Sequence, residues 1–363
     1  VLLRGGAQES INVKGAYLEV MAHCQRSGST QLSAEDLQAL PIGATMLKRL
    51  VHWLLLVEVE GGHAPSSLWR QEAFIAQWLT SNVTDGQKLS PFLGRGQDEQ
   101  SGAIAGMCAH SPFALTGGPG TGKTHTIGAF IALMQGKTFA LLAPTGKAAK
   151  RMQQACAEAE AMTIHRFLFR HQALLELPAE ERALYLPDIV VLDESSMLDV
   201  SLFAQLLRLL PTSTRLILVG DADQLPSIAP GDLLRDVLAH FPRVQLTQNR
   251  RQGGDSSIIV NAARVNEGNP LLATDAATKV HSLKSAPALL NLLSHYLRVE
   301  LPEQYDVMRD VQVVTPTYDG ALGVEALNGH LRKILNGGSR AGRLAVNDKV
   351  VVTENNYRLG VVN

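Results

Sequence analysis

The sequence predicts an α/β protein built around a parallel sheet, with a small, mainly helical domain before it and a second α/β segment after it. Apolar runs fall at residues 113–116, 139–143, 189–192 and 215–219, and helical patterns separate them. The runs are continuous rather than alternating, as expected for strands buried on both faces of a parallel sheet. A glycine-rich loop follows the first run, and polar or acidic turns follow later ones. Ligands are expected where such strands end.

Residues 1–96 predict a helical, winged-helix-like domain and a linker. The expected elements are a capping-box helix that starts at Ser33, a helix over 46–54, a hairpin over 55–62, a helix over 69–79 and a linker over 82–96. Two helices followed by a hairpin suit a packing module as well as a DNA-binding one. Residues 1–32 carry no clear pattern.

The rest of the chain divides into two α/β segments. Residues 97–242 contain the four apolar runs and predict the nucleotide-binding domain. Residues 243–363 predict a second domain, which begins near a strand at 244–246 and includes a strand at 311–315.

Composition excludes several classes of protein. Of the 363 residues, 45% are hydrophobic and 18% are charged, and the net charge is −1, as in a soluble globular protein without a global basic signature. Three widely spaced cysteines match neither a disulfide framework nor a zinc site, which predicts a reducing cytoplasm. The apolar stretches are too short to span a bilayer and no signal peptide is recognisable, so no membrane partner is expected.

The glycine-rich loop has the sequence and the setting of a phosphate-binding loop. It lies between a predicted strand and a predicted helix, and its residues are Gly117, Gly118, Pro119, Gly120, Thr121, Gly122, Lys123 and Thr124. Glycines let backbone N–H groups turn towards phosphates, and the helix N-terminus adds partial positive charge. Lys123 is expected to reach the β- and γ-phosphates, and the Thr124 hydroxyl to ligate Mg²⁺. The chain is therefore predicted to bind a nucleoside triphosphate.

Two further strand ends carry candidate catalytic residues. Asp193 and Glu194 follow the third run, where Asp193 would hold Mg²⁺, directly or through water, and Glu194 would orient and deprotonate the attacking water. Gln224 lies in the turn after the fourth run and is a candidate sensor of the γ-phosphate or the water. A plain turn that ends a strand is the alternative for Gln224.

Taken in this order, these motifs resemble the RecD-type DNA helicases of superfamily 1B, a group that includes the alpha subunit of exodeoxyribonuclease V. The resemblance covers roughly residues 33–363. It implies two RecA-like parallel-sheet motor domains with ATP bound in the cleft between them. It also implies Mg²⁺-dependent ATP hydrolysis coupled to 5′→3′ movement on single-stranded DNA and to strand separation at single-strand/duplex junctions, in DNA repair and recombination.

The resemblance also assigns individual residues. It makes Gln100 the adenine-binding glutamine and Arg251 the γ-phosphate contact, although Arg250 stands beside it as an alternative. It implies that residues of two motifs contact single-stranded DNA, namely Pro144, Thr145, Lys147, Thr163 and His165. RecB- or RecC-like subunits become candidate partners. The family pattern continues past Asn363 into motifs V and VI, so the sequence is expected to stop before them.

The residues themselves leave alternatives open at the DNA contacts. Thr145, Lys147, Lys150 and Arg151 place a hydroxyl and positive charge where phosphate contacts use them, yet an ordinary solvated basic face has the same composition. His165 fits a DNA contact or a buried structural histidine. Residues 167–186, a candidate strand-separating pin, have the pattern of a helix and loop rather than a hairpin.

Two other functions compete with a helicase. A small-molecule P-loop kinase or GTPase is disfavoured by the Gly-Asp-x-x-Gln turn at 220–224 and by the lack of an Asn-Lys-x-Asp guanine-binding motif. A catalytically silent scaffold subunit of a RecBCD-like complex is disfavoured by the intact Lys123, Asp193 and Glu194.

Overall fold

The structure, a computed structural model, describes residues 7–52, 54–83, 99–248, 257–272, 278–336 and 348–350. The chain divides into two compact units, Val1–Gly254 and Asp255–Asn363. No helix among the described residues is long and apolar enough to cross a membrane.

The N-terminal region is mainly helical and carries a small antiparallel sheet. Its described elements are α1 (Ala7–Ser27), β1 (Leu32–Ser33), α2 (Ala34–Ala39), α3 (Ala44–His52), β2 (Leu56–Val59), β3 (Gly62–Pro65) and α4 (Ser66–Ser81). The strands pair in the order β1-β3-β2. The expected capping box is confirmed: the Ser33 hydroxyl accepts from the Asp36 N–H, and the Asp36 carboxylate accepts from the Ser33 N–H.

Two features of this region differ from the sequence prediction. Helix α1 lies where no pattern was recognisable, and it buries Val13, Val20 and Cys24 against α3 and β2. Helix α3 ends at His52 rather than 54, because the backbone of Leu54 is left-handed, with a φ of 56°.

The central region is a parallel sheet with helices on both faces. Its described elements are α5 (Glu99–Ala109), β4 (Phe113–Gly117), α6 (Lys123–Leu133), β5 (Phe139–Ala143), α7 (Gly146–Ala155), β6 (Glu160–Thr163), α8 (Ile164–His171), α9 (Ala179–Arg182), β7 (Ile189–Leu192), α10 (Val200–Leu209), β8 (Arg215–Gly220), α11 (Leu233–His240) and β9 (Arg243–Leu246). Short 3₁₀ turns lie at Gln172–Glu176 and Ser195–Met197. The six strands have the order β6-β5-β7-β8-β4-β9, and all neighbours are parallel.

All four apolar runs are strands of this sheet, which confirms the predicted α/β class. Their side chains alternate between two large cores: Val190 and Leu192 enter one, and Ile189 and Val191 the other. Strand β6 escaped the sequence analysis because it lies at the edge of the sheet and its first residue, Glu160, is exposed. Residues 167–186 form helices and turns, as their pattern predicted.

Strand β9 was expected to open the second α/β segment, and that assignment is wrong. Ala114 to Gly117 of β4 pair with Arg243 to Leu246 of β9, so β9 completes the first sheet. Two of its four residues, Val244 and Leu246, are buried and join the core that holds Met107 and Ile127. A short strand next to a domain boundary does not reveal from its sequence which sheet it joins.

Helix α4 belongs to two cores. Leu68 joins the N-terminal core, whereas Ile75, Trp78 and Leu79 join a core of the parallel sheet. The buried Trp78 indole also donates to the Leu210 carbonyl at the end of α10, over 3.2 Å. The helix therefore ties the N-terminal region to the sheet.

Asn82 was expected to begin a linker, but it is a buried anchor. Its amide nitrogen donates to the carbonyls of Thr212 and Thr214 at 2.5 and 2.8 Å, and its amide oxygen accepts from the Ser111 hydroxyl. The same hydroxyl accepts from the Leu216 N–H of β8 at 3.0 Å. Asn82 thus connects the end of α4 to the loops that precede β4 and β8. Residues 84–96 of the expected linker lie outside the described residues.

The second unit is helical in its described part. It contains α12 (Ser257–Asn266), α13 (Ala286–His295), α14 (Val307–Asp310) and α15 (Val324–Leu335), with a π-helical turn at Tyr296–Glu300 and a 3₁₀ turn at Leu301–Glu303. Helices α13 and α15 are joined by a hydrogen bond between Ser294 Oγ and His330 Nε2 at 2.9 Å.

The strand predicted at 311–315 is not formed. Val311 has extended backbone angles, but no strand is assigned among the described residues of this unit, so the segment has no ladder partner there. Thr315 instead donates its hydroxyl to the Leu322 carbonyl at 2.8 Å, which closes a local turn before α15. Val314 is 85% exposed, whereas a strand buried on both faces requires it to be covered.

We predict that the Asn82→Ala variant loses about 2–3 kcal/mol of unfolding free energy, because truncation leaves the buried Ser111 hydroxyl and two carbonyls without their partner. Urea unfolding followed by tryptophan fluorescence measures the change. The matched control is Ser81→Ala, one residue earlier and exposed, which should change the free energy by less than about 0.5 kcal/mol. Equal effects of the two substitutions would contradict the anchoring role.

Candidate functional site

The carboxyl ends of the parallel strands meet at one edge of the sheet. Strand β4 is in register with β8, with Thr116 opposite Gly220, and β5 is in register with β7, with Leu142 opposite Leu192. Strand β7 joins the two pairs, since Leu192 lies opposite Leu218 of β8. The glycine-rich loop, the Asp193-Glu194 pair, residues 144–145 after β5 and the 220–224 turn therefore share this edge, as their positions after parallel strands require.

The glycine-rich loop has the backbone that its sequence predicts. Gly120 and Gly122 have φ values of +80° and +92°, in the left-handed region that favours glycine. Gly122 is the residue before α6, and the Thr126 hydroxyl donates to its carbonyl at 3.0 Å. The Lys123 ammonium donates to the carbonyls of Gly117 and Gly118 at 2.5 and 3.0 Å. The Lys123 side chain, at the start of α6, thus folds back over the glycine-rich loop that precedes this helix.

Lys123 lies in a buried, acidic surrounding. Burial lowers the pKa of its ammonium, and Asp221, Asp193 and Glu194, in that order, act in the opposite direction. Arg151 contributes a smaller lowering of the same pKa. The lysine, three carboxylates and one arginine therefore act on each other electrostatically at the edge of the sheet. Asp221 is buried and was not singled out in the sequence, because an aspartate in a turn after a strand is common.

Asp193 and Glu194 leave the end of β7 in two different conformations. The Asp193 N–H donates to the Leu142 carbonyl of β5 at 2.8 Å, which extends the ladder by one residue. Glu194 then has φ 51° and ψ 42°, a left-handed conformation that is unfavourable for a residue with a side chain. Burial raises the pKa of the Asp193 carboxyl, and the adjacent Glu194 charge raises it further.

Ser195 holds this turn in place. It is fully buried, and its hydroxyl lies 2.8 Å from the Leu192 carbonyl and 2.7 Å from the Val219 carbonyl. The hydroxyl therefore connects the ends of β7 and β8. The structural role of Ser195 was not recognisable in the sequence, since a serine after two acidic residues is not a distinctive pattern.

The last residue of β8, Gly220, lies close to α11 and to the 3₁₀ turn at Ser195–Met197. A Cβ on Gly220 would lie 2.7 Å from a Leu234 methyl and 3.4 Å from the backbone nitrogens of Ser195 and Ser196. The end of β8 is thus within van der Waals range of the backbone of that turn. Gln224 lies exposed in the following turn, where its N–H donates to the Asp221 carbonyl at 3.3 Å.

Gln100 lies beside the loop rather than at a strand end. Its side chain is buried, and its Nε2 atom lies 2.4 Å from the position that a Cβ on Gly122 would occupy. That nitrogen is a buried donor without a hydrogen-bond acceptor in the described structure. A buried donor of this kind is costly unless a ligand supplies an acceptor. Gln100 therefore fits a contact to a bound molecule.

The candidate DNA contacts lie on or before α7 and α8. The hydroxyls of Thr145 and Thr163 cap these helices, accepting from the N–H groups of Ala148 and Arg166 at 3.3 and 3.2 Å. The exposed side chains of these two helices are mainly basic: Lys147, Lys150, Arg151, His165, Arg166 and Arg170. Arg170 is paired with the exposed Glu160 of β6 at 2.7 Å. The exposure of His165 decides against a buried structural histidine. Pro144 is partly exposed at the end of β5.

Several predicted residues lie outside the described part of the chain. Arg250 and Arg251 fall within 249–256, which the structure does not describe.

The donor set at this edge suits Mg²⁺ better than a metal held by protein alone. The described residues contain no group of three or more His, Cys, Asp or Glu side chains placed to hold a metal ion. Mg²⁺ is usually held by one or two carboxylates together with substrate phosphates. The partly buried Asp193 carboxylate and the partly exposed Thr124 hydroxyl are oxygen donors of that kind.

The fold and this site define the class of P-loop nucleotide-binding proteins. A family model described as AAA domain matches residues 95–287, just over half of the chain, and the chain belongs to that family.

Curated relatives lie among the RecD-type helicases. The chain is 33% identical over 279 residues to the ATP-dependent RecD2 DNA helicase of Deinococcus radiodurans, covering 73% of this chain and 37% of that protein. It is 30% identical over 329 residues to the RecBCD enzyme subunit RecD of Mycolicibacterium smegmatis, covering 76% of this chain and 57% of that one. The resemblance to the RecD type is thus confirmed. The chain spans about a third to just over half of these two relatives.

Among solved structures, the Pif1 helicase from Candida albicans aligns with a TM-score of 0.38 and 18% identity, covering 61% of this chain and 56% of that chain.

We predict that Gly122→Ala destabilises the protein by about 1–2 kcal/mol, because a Cβ at φ +92° is strained and would also meet Gln100. Gly118→Ala in the same loop is the control, since a Cβ there has open space around it and its φ is not left-handed. Thermal unfolding of both variants measures the difference. Comparable losses at the two positions would contradict the described loop geometry.

Proposed function

We propose that this chain is the motor region of an ATP-dependent DNA helicase or translocase, which couples ATP hydrolysis to 5′→3′ movement on single-stranded DNA in repair or recombination. The observation that carries the proposal is the shared sheet edge, where Lys123 faces Asp193, Glu194 and Asp221 beside an exposed basic surface. The RecD-type relatives support the same function. We propose cytoplasmic localisation and binding to single strands and single-strand/duplex junctions, with RecB- or RecC-like subunits as candidate partners.

The proposed chemistry divides among the strand ends. Lys123 would neutralise the β- and γ-phosphates held by loop residues 117–124, and Gln100 would bind the base. Mg²⁺, held by Thr124 and Asp193, would reduce the charge that develops during phosphoryl transfer. Glu194 would accept a proton from the attacking water, and Gln224 would orient that water.

The left-handed backbone of Glu194 supports its proposed role. Such a conformation costs about 1–3 kcal/mol and persists only where the surroundings enforce it. Here the next residue, Ser195, is held by its hydroxyl, which lies within hydrogen-bond distance of carbonyls of β7 and β8. The turn therefore presents the second carboxylate in one fixed direction, as a general base requires.

The remaining roles rest on the resemblance. Arg251, or its neighbour Arg250, would contact the γ-phosphate from a second motor domain, which we propose for the region after the first sheet. The division into domains becomes a proposal of the same kind: an N-terminal domain up to 96, a first motor domain whose end moves from 242 to beyond β9, and a second motor domain after it. Helix α4 stays in the N-terminal domain and packs on the first motor domain.

The proposed DNA contact is electrostatic. Thr145 and Thr163 cap the helices that carry the basic side chains around Lys147 and His165, and these side chains would bind phosphates. The aromatic and aliphatic residues exposed on 167–186, Phe169, Leu184 and Tyr185, keep that segment as the candidate strand-separating pin.

We predict that Lys123→Ala loses Mg-ATP binding and turnover, because the phosphates lose their ammonium partner. Glu194→Gln should keep ATP affinity within about twofold while hydrolysis falls by roughly two to four orders of magnitude, since only the base is removed. Fluorescent-nucleotide binding and phosphate release measure the two properties separately. Hydrolysis by Glu194→Gln near that of the unaltered chain would sink the assignment of the base.

We predict that Lys147→Ala weakens binding to all single-stranded sequences alike and reduces the salt slope by about 1, as the loss of one phosphate contact does. The control is Lys137→Ala. Lys137 is an exposed lysine that precedes β5 and pairs with Asp188, whereas Lys147 comes after β5. The control therefore lies at the opposite end of the strands from the proposed DNA contact. Fluorescence anisotropy with oligo-dT and oligo-dA at several salt concentrations measures both. A loss confined to one base composition, or equal losses for both variants, would contradict the proposed contact.

A further inference from the structure

The first residue of α5, Glu99, binds the residues that follow β9. Its carboxylate accepts from the N–H of Thr247 at 2.8 Å, from the Thr247 hydroxyl and from the N–H of Gln248 at 3.4 Å. These residues stand almost 150 positions later in the sequence. The start of α5 is thereby attached to the edge strand of the sheet, against which α5 also packs.

The same strand end lies against the phosphate-binding loop. Gly117 pairs with Leu246, and a Cβ on Gly117 would lie 2.6 Å from the Leu246 carbonyl oxygen. The residue after Glu99 is Gln100, whose buried Nε2 lies beside Gly122 and has no acceptor among the residues that the structure describes. Strand β9 is therefore held by the loop on one side and by Glu99 on the other.

We propose that Glu99 is a positioning residue for base selectivity: by tying the first turn of α5 to Thr247 and Gln248, it holds the Gln100 carboxamide where it discriminates adenine from guanine. The inference rests on the proposed nucleotide site. Glu99 itself touches neither base nor phosphate in this proposal and acts through Gln100.

The attachment of Glu99 to Thr247 and Gln248 is needed to fix the direction of the Gln100 side chain. The first turn of a helix frays, because its N–H groups lack intrahelical partners. Gln100 is the second residue of α5, so without the tie its carboxamide would lose its fixed direction. Adenine presents the N6 amino donor where guanine presents the O6 acceptor, and a misdirected amide cannot distinguish them. A site that is built to hydrogen-bond one partner gains its selectivity only while the buried group is held in place.

The experiment measures dissociation constants of the full chain for Mg-ATP, Mg-GTP and Mg-tripolyphosphate by competition with a fluorescent nucleotide. The unaltered chain should prefer ATP to GTP. Glu99→Ala should reduce that preference by about tenfold, towards the value of Gln100→Ala, as loss of one well-placed polar contact does. Tripolyphosphate affinity should stay within about twofold, because the loop is unchanged.

Milder substitutions test for intermediate losses of the ATP preference and are less disruptive to folding. Thr247→Val removes one of the donors to Glu99 and should give a partial loss of preference, whereas Thr247→Ser keeps the hydroxyl and should retain it. Glu99→Gln keeps one acceptor oxygen and should lie between the unaltered chain and Glu99→Ala. Glu35→Ala is the matched control, an exposed first-turn glutamate of α2, and should change nothing.

A double-mutant cycle shows whether Glu99 acts through Gln100. In the Gln100→Ala background, Glu99→Ala should cause no further loss of preference. Additive losses would overturn the proposal, as would a Glu99→Ala variant that keeps the full ATP preference while Gln100→Ala loses it. A chain that binds no Mg-ATP would refute the proposed function itself, and one that binds ATP and GTP equally would refute the base contact alone.

Discussion

The site depends on the parallel pairing of β4, β8 and β7. This pairing brings residues that lie about a hundred positions apart in the sequence to one edge of one sheet. Hydrophobic burial on both faces holds the strands in register, because a slip by one residue would move each side chain to the opposite core. The Ser195 hydroxyl then joins the ends of β7 and β8 through two carbonyls. The direction of both acids thus follows from the packing of strands that carry no functional side chain.

Around that edge, the structure combines buried charge with strained backbone. Lys123 and Asp193 are both partly desolvated, so each depends on the charges near it, and burial opposes the charged form of both. Glycines occupy the left-handed positions of the loop, whereas Glu194 adopts such a conformation with a full side chain. Surface ion pairs such as Lys137–Asp188 contribute little by comparison, because water screens them.

The N-terminal region is attached to the sheet by buried contacts. Trp78 and Asn82, at the end of α4, are buried against the loops that enter the sheet. Gly28 supplies a further connection, since its carbonyl accepts from the N–H of Gly231 at 2.9 Å. An N-terminal region attached in this way is expected to move together with the parallel sheet.

The sequence by itself determined the parallel α/β sheet, the phosphate-binding loop and the two acids after β7, because each is a local pattern: a continuous apolar run, or glycines and polar residues at fixed spacing. The elements that were not predicted correctly from the sequence lack such local patterns. Strand β6 is short and lies at an edge, and the 311–315 run has apolar residues without a strand beside it in the described residues.

Only the tertiary structure decided which residues hold these patterns together. In the structure, β9 belongs to the first sheet, Asn82 is buried and Asp221 lies near Lys123. Thr145 and Thr163 are helix caps, and His165 is exposed. Whether a polar side chain is a cap, an anchor or a free contact is set by neighbours far away in the chain. Glu99 shows the reason most directly, since its bonds to Thr247 and Gln248 exist only because β9 crosses back to lie beside β4.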